Sequence, residues 1–343
     1  MSDNDKNKFI PLSVPNISGN EWTYVKKCLD TGWVSSVGPF VNEFEKKICE
    51  YIGTKRAVAC INGTSGIQIS LKVAGVGNND EVIVPVLTFI APVNAVKYLN
   101  AEPVFMDCDD YLNIDTEKLE KFCKTQCRMS SEGLINKNSG RILKAVLPVH
   151  IFGNPCNMEH LLEIAEKYNL KIIEDATESL GSYYTSGKLE NQYTGGIGDI
   201  GVFSFNGNKI ITTGGGGMVV TDNEEYADKI RYLTTQAKDD ENKFVHNEIG
   251  YNFRLTNVLS AIGAAQMELL EKFIEKKKYN YELYKNRLND INGIKFIDPP
   301  AGTRPNYWFY SIIIEKGIYA YNNIELMNIF SENNIQTRPL WYL

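Results

Sequence analysis

The sequence predicts an α/β fold built on a mainly parallel sheet, followed by a small α+β C-terminal domain. Two patterns carry this expectation. Short β-rich runs at 82–86, 104–107, 145–149, 172–175, 202–205 and 218–221 alternate with helical stretches such as 90–99, 158–168 and 224–233. Strand–helix alternation builds βαβ units, whose strands run parallel. After Thr256 the alternation stops. A long helix from Val258 to about Asn286 leads through a Pro-Pro-Ala-Gly turn at 299–302 into an aromatic and β-branched strand at 307–314, then a helix at 324–333. These patterns place a large domain at 1–256 and a small one at 257–343. Two segments, 125–141 and 185–196, are polar and irregular and read as surface excursions.

Composition bounds the function. A chain of 343 residues, 43% hydrophobic and 23% charged, is globular and long enough for a large and a smaller domain. A net charge of −6 argues against a nucleic-acid surface, which needs clustered Lys and Arg to grip phosphates. The densest basic run, Lys276 to Lys278, lies among Glu268, Glu271 and Glu275 in a helical pattern and reads as a solvated mixed-charge face. No apolar run reaches the ~18 residues that a membrane span requires. The polar first residues lack the apolar stretch of a secretory signal, so a cytoplasmic protein with no membrane partner is expected. Seven cysteines, at 28, 49, 60, 108, 123, 127 and 156, show no paired CxxC spacing and read as free thiols of a reducing compartment. Cys123 and Cys127, four apart on one expected helical face, and the loose group His150, Cys156 and His160 match no zinc spacing, so no metal is expected.

Three local features carry chemistry. Lys209 stands between an apolar strand and the four glycines at 214–217. A lysine that condenses with an aldehyde cofactor needs such a fixed position and close backbone approach; a solvated surface lysine is the plainer alternative. Asp175 falls where the strand at 172–175 ends, the edge at which ligands of open α/β sheets bind. A carboxylate there can keep a pyridine nitrogen protonated, although Glu174 and Asp175 could equally cap a following helix. The stretch 57–66 leads into an expected helix at 67–74 with Thr64 and Ser65 at its first turn, so an anion could rest on its unpaired amides; simple capping is the alternative.

In that order, phosphate turn, strand-end aspartate and lysine resemble the fold-type I pyridoxal-phosphate enzymes, and more narrowly the DegT/StrS nucleotide-sugar aminotransferases. Matching segments run from 10–16 through 31–39, 84–91 and 250–256 to 337–340, nearly the whole chain. The resemblance implies that Lys209 forms the Schiff base and that Asp175 binds the pyridine nitrogen. Phe89 would stack on the ring, unless it is plain core packing. Thr64, Ser65 and Ser204 would hold the phosphate, with Asn252 reaching across from a neighbouring subunit of a homodimer. Glu178 would lie near the ring hydroxyl, where many relatives carry Gln. A carboxylate facing a phenolate repels it unless it is protonated or paired.

The implied reaction moves an amino group from glutamate to a nucleotide-linked keto sugar. The motifs at 174–181, 204–217 and 149–153 look closest to enzymes aminating UDP-linked 4-keto-6-deoxy-N-acetylhexosamines in bacillosamine- and legionaminic-type pathways. GDP- or dTDP-linked sugars are alternatives. A non-catalytic regulator that keeps the fold is another, supported by Glu178 and by a small domain that is expected to be incomplete at residue 343. Some relatives replace the lysine with His and act as dehydratases; Lys209 favours transamination.

Overall fold

The computed structural model describes residues 9–240 and 242–341. Helices α1 (Glu21–Thr31) and α2 (Pro39–Ile52) precede β1 (Arg56–Cys60) and α3 (Gly63–Val73). Next come β2 (Glu81–Pro85), α4 (Ile90–Lys97), β3 (Glu102–Met106), α5 (Thr116–Gln126), and the strands β4 (Cys127–Ser130), β5 (Gly133–Asn136) and β6 (Ile142–Val146). The large sheet is completed through α6 (Met158–Tyr168), β7 (Lys171–Asp175), the short β8 (Tyr183–Tyr184), β9 (Ile200–Ser204) and β10 (Gly217–Thr221), with α7 (Glu224–Thr234) after it.

The sheet runs in the order β1-β10-β9-β7-β6-β2-β3, with β5 added beside β6 and β4 beside β5. Its centre is parallel, as expected: β3 pairs β2, β2 pairs β6, β6 pairs β7 and β7 pairs β9, with Asp175 opposite Val202. Its flanks are not. β10 is antiparallel to both β9 and β1, and the β4–β5 hairpin joins β6 antiparallel, so the sheet is mixed.

That hairpin corrects the reading of 125–141 as a surface excursion. Leu134 and Ile135 bury against the sheet, and Asn136 donates from Nδ2 to Glu81 at 2.8 Å. A four-residue strand carrying one apolar pair is outvoted in any window by its polar neighbours. The hairpin also separates Cys123, inside α5, from Cys127, which begins β4.

Both faces of the sheet are covered, so successive strand residues alternate between two apolar layers. Val58, Val202 and Val219 face α3, α4 and α7 in one cluster with Ile67, Leu71, Val93, Val96 and Ile230. Ala57, Ala59, Phe203, Met218 and Val220 face the other way, against Phe44 and Ile48 of α2. Full burial of a side chain such as Phe44 or Ile48 contributes about 1.5–3 kcal/mol.

The long helix expected from Val258 is two helices, α8 (Asn257–Met267) and α9 (Leu270–Leu288). α8 is nearly apolar and small, and it packs on α1 and α2; Gly263 lies so close to Phe44 that an added Cβ would sit 2.6 Å from the ring. α9 is polar and buries only Leu270, Ile274 and Tyr281. Two burial faces that differ this much are served by a turn at Glu268–Leu269 rather than by one straight rod.

Beyond α9, β11 (Ile294–Phe296) pairs with β13 (Ile312–Ile314), β12 (Thr303–Arg304) pairs with β8, and α10 (Asn323–Glu332) follows. The strand expected at 307–314 therefore keeps only its last three residues. Tyr307 takes φ 54°, and Trp308 N donates to Asn306 Oδ1 at 3.0 Å, which turns the aromatic run inward. Lys277 Nζ donates to the Trp308 carbonyl at 3.1 Å, and burial lowers its pKa, so the basic run 276–278 is not uniformly solvated.

The segment around Ile10 pairs with Ile335 through Ile10 N donating to Asn334 O at 2.8 Å and Gln336 N to Ile10 O at 2.9 Å. Trp341, a few residues on, packs on Phe152. Among the described residues no helix is long and apolar enough to cross a membrane.

Candidate active site

Strands β1, β2, β3, β6, β7 and β9 all point their carboxyl ends to one edge, and the expected site residues other than Asn252 lie on the segments that leave it. At β1 the chain turns into α3 through Asn62, whose side chain accepts from Ser65 N at 2.8 Å. The amides of Gly63 and Thr64, in the first turn, have no intrahelical acceptor and carry the positive end of the helix dipole. A Cβ at Gly63 would lie 2.9 Å from Thr177 Cγ2 and 3.1 Å from Ser204 Cβ. The Thr64–Ser65 turn thus rests directly on the ends of β7 and β9. Gly217 allows the same on the other side, where a Cβ would come 2.6 Å from the Asn62 backbone.

Asp175, 3% exposed, ends β7 and accepts from Thr177 N at 3.0 Å. Burial raises its pKa, opposed by the Thr177 hydrogen bonds and the charge on Lys209. No helix follows β7, so the capping alternative falls away. Glu174 instead supports the neighbouring loop, accepting from the amides of Gly195 (2.7 Å), Ile197 (2.7 Å) and Gly198 (2.6 Å) and pairing with His150 Nε2 at 2.9 Å. His150 Nδ1 accepts from Cys156 N at 3.0 Å, which places the ring hydrogen on Nε2, facing Glu174. Burial pushes the Glu174 pKa up, but His150 and the loop amides outweigh it and hold the carboxylate charged.

Lys209 follows β9 in a turn where its amide donates to Asn206 O at 3.0 Å. Its side chain is 12% exposed, with Nζ 3.8 Å from Glu178 Oε1 and 4.2 Å from the centre of the Trp308 ring. This is not a solvated surface lysine. The other oxygen of Glu178 accepts from Phe152 N at 2.8 Å. Burial lifts the Glu178 pKa to about 7, against the pull of Lys209.

Phe152 achieves its contact in the left-handed region, at φ 55°, costly for an aromatic residue. Gly153 follows at φ 90°, where a Cβ would collide with the Asn306 side-chain oxygen. Asn306, fully buried, donates to Glu178 O at 2.8 Å and Leu180 O at 3.0 Å. The strained pair is therefore clamped between two segments.

Phe89 is the N-cap of α4 and 53% exposed, so it is not core packing. Its ring meets Trp341 edge-on at 6.2 Å, and Trp341 lies 5.0 Å from Phe152. Next to it, the Thr88 hydroxyl is buried without a hydrogen-bond partner among the described residues. Asn252 stands apart from the group: it is exposed, on the segment tied to the end of β1 by Ile61 N donating to Phe253 O at 2.8 Å. Trp308, Phe152 and Asn306 were not anticipated as site residues. The motif at 149–153 contained the Phe152 signal, but nothing local to 306–308 did.

The donor set fits pyridoxal phosphate. Free helix amides and hydroxyls suit its phosphate, a buried strand-end carboxyl suits a pyridinium, and a protonatable Glu178 suits a ring hydroxyl better than a fixed carboxylate would. A buried lysine among these groups defines a site of the pyridoxal-phosphate type. The model of the DegT/DnrJ/EryC1/StrS aminotransferase family matches residues 15–343, and the chain belongs to that family. It is an aminotransferase dependent on pyridoxal phosphate.

The chain is 37% identical over 335 residues to GDP-perosamine synthase of Escherichia coli O157:H7, covering 98% of this chain and 85% of that one. A DegT DnrJ EryC1 StrS aminotransferase from Brucella abortus superposes with TM-score 0.81 at 31% identity, covering 92% of this chain and 79% of that one. DesI, crystallised with its TDP-sugar product, superposes with TM-score 0.84 at 26% identity, covering 97% and 79%.

Proposed function

We propose that this protein is a cytoplasmic homodimer that transfers an amino group from glutamate to a nucleotide-linked 4-keto-6-deoxy sugar for surface-glycan biosynthesis, with a GDP-linked sugar as the first candidate. The observation that carries the reading is Lys209, enclosed by Glu178 and Trp308 at the edge where Asp175 and the Thr64–Ser65 turn meet. The likeness to GDP-perosamine synthase supports a GDP-linked sugar over the UDP-linked one that the sequence motifs favoured.

Pyridoxal phosphate, when bound, supplies an aldehyde that takes up the donor's amino group on a ring that withdraws electrons. The chain's own residues do the rest. Thr64, Ser65, Ser204 and the free amides of Gly63 and Thr64 fix the phosphate, and Asn252 reaches it from the neighbouring subunit. Asp175 keeps the ring nitrogen protonated, and Phe89 covers the ring face. Lys209 Nζ takes the proton from the donor's α-carbon and later delivers one to the sugar carbon. Trp308, lying across Nζ, limits where the amine can point and shields it from water.

Purified protein supplied with pyridoxal phosphate, glutamate and one keto sugar at a time tests the reading by product mass. The amino sugar is expected from the GDP-linked substrate. Product from the UDP- or dTDP-linked substrate alone would move the assignment to that nucleotide, and no product from any would leave the regulator alternative standing.

The shared site has its own test. Mixing Lys209→Ala with Asn252→Ala subunits should restore part of the activity, because one site of each mixed dimer has both residues intact. Mixtures that stay at the parents' level despite subunit exchange would show that each site is built within one chain.

A further inference from the structure

Two buried carboxyl groups lie in the field of Lys209: Glu178, with Oε1 3.8 Å from Nζ, and Asp175, whose ionisation Lys209 favours. Asp175 is the one that a bound pyridinium would neutralise, which leaves Glu178, 5% exposed, as the carboxyl that Lys209 itself must balance. Burial disfavours the charged form of such a group, so its proton is held close to the point of exchange with the facing amine. Asp175 accepts from Thr177 N and sits at the strand end; Glu178 receives a single amide, Phe152 N at 2.8 Å, and leaves Oε1 free to face Lys209. Among the described residues, the charged or titratable groups that act on Glu178 are Lys209 and Asp175.

We propose that Glu178 is a proton-carrying residue of the active site, exchanging one proton directly between its Oε1 and Nζ of Lys209. The inference rests on the reading of Lys209 as the proton carrier of the reaction. In the step, an N–H bond of the Lys209 ammonium breaks and an O–H bond forms on Glu178. An ion pair becomes a neutral amine beside a neutral acid, and no electron changes hands. The separation of 3.8 Å is one side-chain adjustment away from a hydrogen bond, and catalytic contacts commonly tighten only when the site is filled. Phe152 gives this role its rigidity: its left-handed backbone aims one amide at Oε2, so Oε1 is held toward the lysine. A Gln at this position could accept from Lys209 but could not take its proton.

The sign of the pH dependence follows. Glu178 is protonated below about 7 and charged above it, so it can accept a proton from Lys209 only on the alkaline side and stores one on the acid side. The test is infrared difference spectroscopy on the full-length protein loaded with pyridoxamine phosphate, the form in which Lys209 makes no bond to the cofactor and its ammonium can face Glu178. Wild type is expected to show a protonated-carboxyl C=O band that fades with a midpoint near pH 7, and Glu178→Gln should lack it. In Lys209→Ala, loss of the facing cation should move the midpoint up by about one pH unit or more.

No titrating carboxyl band between pH 5 and 9, the same band in Glu178→Gln, or a midpoint indifferent to Lys209→Ala would each overturn the proposal. The two readings fail separately. Inactivity toward every keto sugar with the band behaving as expected removes the substrate reading alone, whereas turnover of a keto sugar with no such band removes this proposal alone.

Discussion

Lys209→Ala is expected to lower turnover by at least about 10⁴-fold, because in the proposed mechanism one substitution removes both the covalent anchor and the proton-transfer base. The fold should survive. The lysine side chain makes its contacts with Glu178 and the face of Trp308, and no hydrophobic core cluster depends on it. The visible absorption of the lysine-bound cofactor should vanish, while the phosphate contacts proposed for Thr64, Ser65 and Ser204 should still retain the ligand. Absorbance spectra and the single-turnover reaction with glutamate check both parts. A variant that kept a tenth of wild-type activity would remove Lys209 from the chemistry.

Asp175→Asn should reduce kcat by about 10²–10⁴-fold with little loss of bound cofactor. The amide is nearly isosteric and can still accept from Thr177 N, so β7 and the turn after it should be undisturbed. What it lacks is charge. A neutral partner cannot hold the ring nitrogen protonated, and the electron sink weakens. Measured kcat at a stated cofactor occupancy separates this from poor binding: wild-type kcat would show that Asp175 has no electronic role, and an empty site would show that it mainly holds the ligand.

Much of the site was legible because its parts are short and local. The turn before α3, the strand that ends in Asp175 and the lysine before a glycine run each announce themselves within a dozen residues. The βαβ alternation was legible for the same reason. Residues brought in from far along the chain were not. Trp308 lies about a hundred positions from Lys209 yet crosses its amine, and Asn306 clamps Glu178 over a similar span.

Backbone conformation was equally hidden. Nothing in Ile151-Phe152-Gly153 says that the aromatic residue, and not only the glycine, takes a positive φ. The break between α8 and α9 escaped because neither a glycine nor a proline marks it; it is set by which faces find partners. The β4–β5 hairpin was lost to its own polarity.

The position of β1 in the sheet bears on how the protein is made. Among the described residues the strand it pairs with is β10, about 160 residues later in the chain. At translation rates of roughly 5–20 residues per second, β1 and the Asn62–Ser65 turn behind it wait on the order of 10–30 s after synthesis before that partner leaves the ribosome. During the wait an apolar strand, Ala57 to Cys60, has an open edge, a setting in which nascent chains aggregate or recruit chaperones. β1 is thus synthesised well before the strand that completes it, and the Asn62–Ser65 turn takes its final setting against β7 and β9 only when those later strands are in place.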